Sequence, residues 1–461
     1  FFTFGAGSLQ PGCTLLFADL KDGMIHGRTF DFDLMLLGKY PVITEYNPSG
    51  EQSYINFGVL GYPGFFNGVN KKGISITLNY GMGAYNKNSK GLPMGLKIRE
   101  MLAGSKNMAE VERILRHYPT DESGWILGVE SAKENKAAVF DVFDNTIKKH
   151  EKGNDPYLYA VNRIFSPKRY GASREARTHL KMSVYANQTN VTRGMAVEKR
   201  LAGNGVHSLA EMLDLFADTE FWDYQIPNGT GSIAVNYEKT LNTILIDLNH
   251  DTVYFAAEGG FSSWGKIYQI NIKDMSINLF RDQLPERQAK PVQDLLAWVD
   301  RYQLLMIQGE YQKIFECTNF NAALTPRQLY YLYNAYKKLP HPEWGMKIIR
   351  VADRLMAKYP DFGWLYQVKG EILTRTGDDV NAALNLENAL YARINYDSDN
   401  IEVLLGLIQV QQRLKDVQKA QNYMDQYLAL YDKLAKVSAP DLQYQKKYDE
   451  YRKAARHNRK K

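Results

Sequence analysis

The sequence holds only two cysteines, Cys13 and Cys317, which is too few for a disulfide framework. It has no uninterrupted apolar run of about 18 residues, so no membrane span is predicted. Its eight histidines fall in no metal-ligand spacing, and no metal site is predicted. The excess of positive charge is small, +6, and much of it sits in residues 442–461. That basic tail carries no aromatic stacking motif or basic stripe, so nucleic acid is not an expected partner. An initiator methionine is also missing. The opening Phe1-Phe2-Thr3-Phe4-Gly5-Ala6-Gly7 has the character of what remains after signal-peptide removal. The expectation is an exported protein, periplasmic, extracellular or lumenal, with a cytoplasmic location left open.

What is present is a globular composition, 44% hydrophobic and 23% charged, with 31 tyrosines. A chain of 461 residues is too long for one ordinary core, and two or three domains are expected. From Cys13 to about residue 280, short strand patterns dominate: 42–46, 74–79, 137–142, 157–161, 232–236, 243–247 and 253–257. Helical patterns at 96–103, 108–117, 173–185 and 209–216 sit between them, predicting an α+β layered sandwich. After Pro285 the pattern turns helical, with small residues Gly370, Ala382, Ala389, Gly406 and Ala420 near a tetratricopeptide-like period. The expected domains are a leader over 1–12, the sandwich over 13–284, helical hairpins over 285–441, and the tail over 442–461. Cys317 falls in a helical pattern and reads as a small core residue.

The organising stretch is the first hairpin, residues 12–33. Asp22-Gly23 separates two β-rich runs and predicts a tight turn. With Lys21 facing Met24, Cys13 faces Phe32, and a one-residue slip puts Asp31 opposite. Either register brings a carboxylate beside the sulfur, with Arg28 near enough to stabilise a thiolate. Gly12-Cys13 is the most informative pair. A cysteine freed at its amino terminus carries a thiol nucleophile and an α-amine, of pKa about 8, that can act as its base. No histidine is then needed. Freeing it requires loss of residues 1–12, through attack of Cys13 on the Gly12 carbonyl and hydrolysis of the thioester. Taken alone, Cys13 reads better as a buried strand residue, and Arg28 with Asp31 as a solvated pair.

The hairpin Cys13-Thr14 with Gly27-Arg28-Thr29-Phe30-Asp31-Phe32-Asp33 resembles the start of the N-terminal-nucleophile hydrolases. This family includes penicillin V acylase, bile salt hydrolase, acid ceramidase, the N-acylethanolamine amidase and the acyltransferase of penicillin biosynthesis. Gly68-Val69-Asn70-Lys71-Lys72-Gly73-Ile74 is similar to its N-G-x-N-x-x-G-L turn. Leu78-Asn79-Tyr80-Gly81-Met82-Gly83-Ala84-Tyr85 resembles the loop with an oxyanion-hole asparagine. Asn162, in Ala160-Val161-Asn162-Arg163, matches a second asparagine, and Ser173-Arg174-Glu175-Ala176-Arg177 a late arginine motif. The resemblance covers residues 12–257 and stops short of the helical region.

The resemblance implies an αββα sandwich, self-cleavage between Gly12 and Cys13, and hydrolysis of a linear N-acyl amide without a cofactor. Cys13 would be the nucleophile and Asp31 would orient its amine. Arg28 would hold the thiolate, Asn79 and Asn162 would donate to the oxyanion, and Arg174, with Arg177 as fallback, would close the charge network. Thr29 and Arg163 depart from the family pattern, and Arg163 bears on the choice of substrate. Phe65, Phe66, Tyr80 and Tyr85, with Tyr62, read as packing or as an apolar acyl pocket. The alternatives are transfer of the acyl group to an amine, and a protein-interaction module on an inactive scaffold. A protein partner would bind the helical domain.

Overall fold

A computed structural model describes residues 12–32, 38–61, 64–81, 91–119, 124–143, 146–162, 193–194, 196–202, 205–218, 235–236, 240–392, 397–435 and 442–458. These form two compact units that divide between Asp300 and Arg301.

The first unit is built on two seven-stranded antiparallel sheets. One has the order β10-β1-β2-β11-β12-β13-β14: β1 (Gly12–Leu20), β2 (Gly23–Asp31), β10 (Tyr157–Ala160), β11 (Thr240–Asp247), β12 (Thr252–Ala256), β13 (Ile267–Asn271) and β14 (Ile277–Arg281). The other runs in sequence order: β3 (Pro41–Tyr46), β4 (Tyr54–Val59), β5 (Asn67–Asn70), β6 (Ile74–Gly81), β7 (Gly124–Ser131), β8 (Lys136–Phe143) and β9 (Thr146–Glu151). Alternation along β1 divides its side chains between two cores. Leu15 and Phe17 pack toward the second sheet with Ile126 and Val139. Leu16 and Ala18 face the other way, into a cluster with Met212 and Phe216 of α3 (Leu209–Phe216). Helices α1 (Met94–Gly104) and α2 (Met108–His117) pack on the second sheet, completing four αββα layers.

The close fit of α3 on the first sheet depends on Gly27, where a Cβ would come within 2.4 Å of Phe216. Helix α2 begins where the sequence supplies a cap, the Asn107 side chain accepting from the Glu110 N–H at 2.9 Å. The sequence patterns at 108–117 and 209–216 match these two helices end to end. The expected strands at 42–46, 74–79, 137–142, 157–161, 243–247 and 253–257 fall on β3, β6, β8, β10, β11 and β12. The expected helix at 173–185 and most of the strand at 232–236 lie outside the described residues.

The hairpin register differs from both sequence expectations. Leu20 pairs with Gly23, which sets Cys13 opposite Phe30 and Gly12 opposite Asp31. Lys21 and Asp22 therefore form the turn, and Gly23 serves a different purpose. It has φ +135°, and a Cβ there would lie 2.3 Å from the Asn249 side chain. A close approach from the loop after β11, invisible in local sequence, draws the glycine out of the turn centre.

Helix α4 (Lys290–Ile307) crosses the division, and the second unit holds the helices α5 (Tyr311–Glu316), α6 (Pro326–Lys338), α7 (Pro342–Lys358), α8 (Gly363–Thr376), α9 (Asp379–Tyr391), α10 (Asp397–Arg413), α11 (Val417–Ala435) and α12 (Leu442–Asn458). From α5 onward each helix packs against the next. Gly370 on α8 and Gly406 on α10 both meet the Leu386 side chain of α9, leaving no room for a larger residue at Gly370. Cys317 closes the C-terminal end of α5 half-buried, rather than inside the core. Among the described residues no helix is long and apolar enough to cross a membrane.

Candidate active site

Paired residues of an antiparallel sheet share a face, so the observed register sorts the site into two sides. Cys13, Leu15, Arg28 and Phe30 point toward the second sheet, while Thr14, Thr29 and Asp31 point toward the helical layer. Cys13 and Asp31 thus lie on opposite faces of the hairpin. All of these side chains are fully or almost fully buried.

On the inner face, the Arg28 guanidinium is engaged on every side. Its Nη2 donates to Cys13 Sγ at 3.2 Å, its Nη1 to Asn67 Oδ1 at 2.8 Å, and its Nε to Asn79 Oδ1 at 3.1 Å. Asn67 lies on β5 and Asn79 on β6, so the second sheet supplies the acceptors for a cation carried by the first. Burial pushes the Arg28 pKa down, while the Cys13 sulfur beside it and, less strongly, Asp31 push it up. A guanidinium stripped of water gains from a negative charge at the sulfur.

At the amino end of the strand, Cys13 N–H donates to Asn162 Oδ1 at 2.6 Å. Antiparallel pairing sets Leu15 opposite Ala160, and two residues further along that register Asn162 comes beside Cys13. Arg193 Nη2 donates to the same Oδ1 at 2.7 Å, and Asn162 Nδ2 donates to Tyr80 O at 2.8 Å. Because arginine nitrogens only donate, this contact assigns the amide orientation. The Asn162 oxygen faces the Cys13 nitrogen. Asn79 Nδ2 reaches the carbonyls of Ala160 and Val161 only at 3.5 Å each, the outer limit of such a bond.

Arg193 is the residue that sequence reasoning missed. It is buried, helical with Gly194, donates to Cys13 O at 2.5 Å, and lies 3.7 Å from the Asp31 carboxylate. It ties together Cys13, Asn162 and Asp31. Its sequence neighbourhood, Thr192-Arg193-Gly194, lacks the serine-led pattern that draws attention to Arg174. Arg174 and Arg177 lie outside the described residues, as do Arg163, Tyr62 and Tyr85.

The remaining aromatic residues separate. Phe66 stacks on Phe30 with ring centroids 4.5 Å apart, and the Arg28 guanidinium lies 4.8 Å from the Phe30 centroid. Phe65 packs instead with Tyr46 and Tyr54, at 5.6 and 5.7 Å. Tyr80 meets Trp125 edge-on at 5.4 Å.

Beneath Arg28, a second buried polar group joins the sheets. His26 contacts Ser75 Oγ and Thr77 Oγ1, both at 2.8 Å, and burial followed by the charge of Arg28 holds its pKa down to about 3. Ser75 Oγ donates to Glu130 Oε2 at 3.3 Å, and burial raises the Glu130 pKa well above 4.5. The folded chain keeps a proton on Glu130 that the unfolded chain has lost, so this residue's contribution to stability declines as pH rises through that window. His26 has the opposite slope, losing stability as pH falls from about 6.5 toward 3. Glu130→Gln is expected to raise stability at pH 7.5 by about 1–3 kcal/mol, with the gain shrinking toward pH 4. Urea unfolding at several pH values checks this.

The geometry defines a class: a buried cysteine at the start of a strand in an αββα sandwich, with its sulfur on an arginine and its nitrogen on an asparagine. The sequence pattern of the family described as acyl-coenzyme A:6-aminopenicillanic acid acyl-transferase matches residues 19–260. The chain belongs to that family, one of the N-terminal-nucleophile hydrolases. The match begins after Cys13, so the role of the cysteine is argued from its surroundings.

Among solved structures, the chain is similar to the Caenorhabditis elegans ortholog of N-acylethanolamine-hydrolyzing acid amidase, at 15% identity and TM-score 0.36, over 51% of this chain and 93% of that one. It is also similar to a mutant of the conjugated bile acid hydrolase of Clostridium perfringens, at 11% identity and TM-score 0.38, over 59% and 98%. Penicillin V acylase of Agrobacterium tumefaciens gives 12% identity and TM-score 0.33, over 59% and 96%. No curated protein matches the chain.

Proposed function

We propose that this protein is a self-processing amidase that cleaves a linear N-acyl amide through an acyl-enzyme on Cys13. The observation that carries the reading is the pair of contacts on one residue: Arg28 Nη2 on Cys13 Sγ at 3.2 Å and Asn162 Oδ1 on Cys13 N at 2.6 Å. Nucleophile and base are then atoms of the same residue, and each has a holder.

In the processing step, the Cys13 thiol adds to the Gly12 carbonyl and its proton passes to the departing Cys13 nitrogen. Water hydrolyses the resulting thioester, leaving Gly12 as a carboxylate and Cys13 with a free amine. In turnover, that amine takes the thiol proton, with Asn162 Oδ1 accepting from it and Asp31 supporting it through Arg193. The thiolate, held by Arg28, attacks the substrate carbonyl. The second hydrogen of Asn162 Nδ2 and the loosely engaged Asn79 Nδ2 serve the oxyanion, a contact worth about 3–4 kcal/mol of barrier. The α-ammonium returns its proton to the leaving amine, and water then releases the acyl group. Thiol and amine complete the proton transfers without a cofactor.

The Phe30–Phe66 stack beside Arg28 favours a fatty or aryl acyl chain, with Tyr80, Tyr85 and Arg163 assigned to the substrate side. Transfer to an amine in place of water is the second reading, favoured by the name of the matched family. The helical unit is assigned to a protein partner. Val380, Leu384 and Tyr391 are exposed along one face of α9, where a partner could cover them. A screen of N-acyl amides covering penicillin V, bile-salt conjugates, N-acyl amino acids and ceramides, read by amine release with and without an added amine acceptor, tests the reaction. Turnover of at least one substrate that is lost in Cys13→Ala is expected. No turnover of any by the processed chain contradicts it.

A further inference from the structure

Resting on the reading of Cys13 as the nucleophile, we propose that Asn67 is a positioning residue for the thiolate, holding Arg28 through a neutral acceptor so that its positive charge stays available to the sulfur. A buried arginine is ordinarily matched by a carboxylate. Here two of its three nitrogens bind amide oxygens, Asn67 Oδ1 at 2.8 Å and Asn79 Oδ1 at 3.1 Å, and the third binds Cys13 Sγ. The guanidinium is planar and rigid, so fixing Nε and Nη1 fixes the direction of Nη2. Asn67 contributes the shorter of the two amide contacts.

Asn67 is itself held. Its Nδ2 donates to Phe57 O at 3.3 Å, which leaves the oxygen for Arg28, and its backbone pairs with Thr77 on the neighbouring strand. Among the described residues, the carboxylate acting on Arg28 is Asp31, which points to the other face of the hairpin and lies 3.7 Å from Arg193. The two arginines are thereby divided between two anions: Arg193 serves Asp31, and Arg28 is kept for sulfur. A carboxylate at position 67 would have the same size and an even stronger acceptor, yet it would neutralise Arg28 at the contact that aims it.

That difference separates a charge-delivery role from a packing role. A packing role makes Asn67→Ala the worse variant and leaves Asn67→Asp close to wild type. Charge delivery reverses the order. The experiment is alkylation of the full, processed chain by iodoacetamide between pH 5 and 9, with Cys13 and Cys317 followed separately by peptide mass and folding followed by thermal melting. Asn67→Asp is expected to slow Cys13 alkylation at pH 7 about tenfold, equivalent to a one-unit displacement of the pH profile toward higher pH. Asn67→Ala should slow it less, and Cys317 should not change. A folded Asn67→Asp protein with the wild-type Cys13 profile, or an Asn67→Ala protein slower than it, overturns the proposal. Should Asn67→Asp fail to fold, a wild-type Cys13 profile in Asn67→Ala overturns it equally. If wild-type Cys13 reacts no faster than Cys317, the nucleophile reading itself falls. If it reacts fast and neither variant slows it, only the role of Asn67 falls.

Discussion

Cys13→Ala is expected to abolish amide turnover, by about 10⁴-fold or more, and to leave residues 1–12 attached. Both effects follow from one atom. The sulfur is the nucleophile that rests on the Arg28 guanidinium, and it is also the group that must attack the Gly12 carbonyl. Cys13→Ser separates the two roles, because a hydroxyl can still add to a carbonyl but gains far less from the guanidinium at neutral pH. Processing should be slow and turnover weak. Rates of amine release and intact mass measure the two effects on one preparation. Turnover by Cys13→Ala comparable to wild type contradicts the assignment.

The second large effect falls on Arg193. Its side chain is buried, holds Cys13 O and Asn162 Oδ1, and faces the equally buried Asp31 carboxylate. Arg193→Leu removes the Arg193 cation from beside that buried carboxylate, a change that typically destabilises by about 3–5 kcal/mol. It also frees the Asn162 amide to rotate away from Cys13 N, so turnover should fall about 10²-fold or more as a positioned group is lost. The double variant Arg193→Leu/Asp31→Asn removes the carboxylate charge along with the cation. It should recover much of the stability and none of the turnover. Chemical unfolding and steady-state rates on the three proteins show whether the two losses divide in this way. A double variant no more stable than Arg193→Leu contradicts the pairing.

The site was legible where chemistry is local and less so where it depends on tertiary approach. Cys13 and Arg28 meet as the hairpin pattern implied, since both lie on two short strands joined by a turn. The register was misread because Gly23 looks like a turn centre, and the close approach of Asn249 that claims it comes from more than 200 residues away. Consequently Asp31 was expected beside the sulfur and is found across the hairpin, reached by Arg193. The sequence singles out Asn79 and Asn162 but not their orientation. Which amide atom faces inward is decided by Arg28 and Arg193, and no sequence pattern records it. Strand β4 and the short β5 escaped notice because their residues are buried on both faces and lack alternation. The capped amphipathic helices α2 and α3 carried their own boundaries.

The central claim is that Cys13 works as a free amino-terminal residue, and intact mass with amino-terminal sequencing of the active protein tests it most directly. The expected chain begins at Cys13 in the wild type and retains residues 1–12 in Cys13→Ala. An active enzyme that still carries residues 1–12 would contradict it.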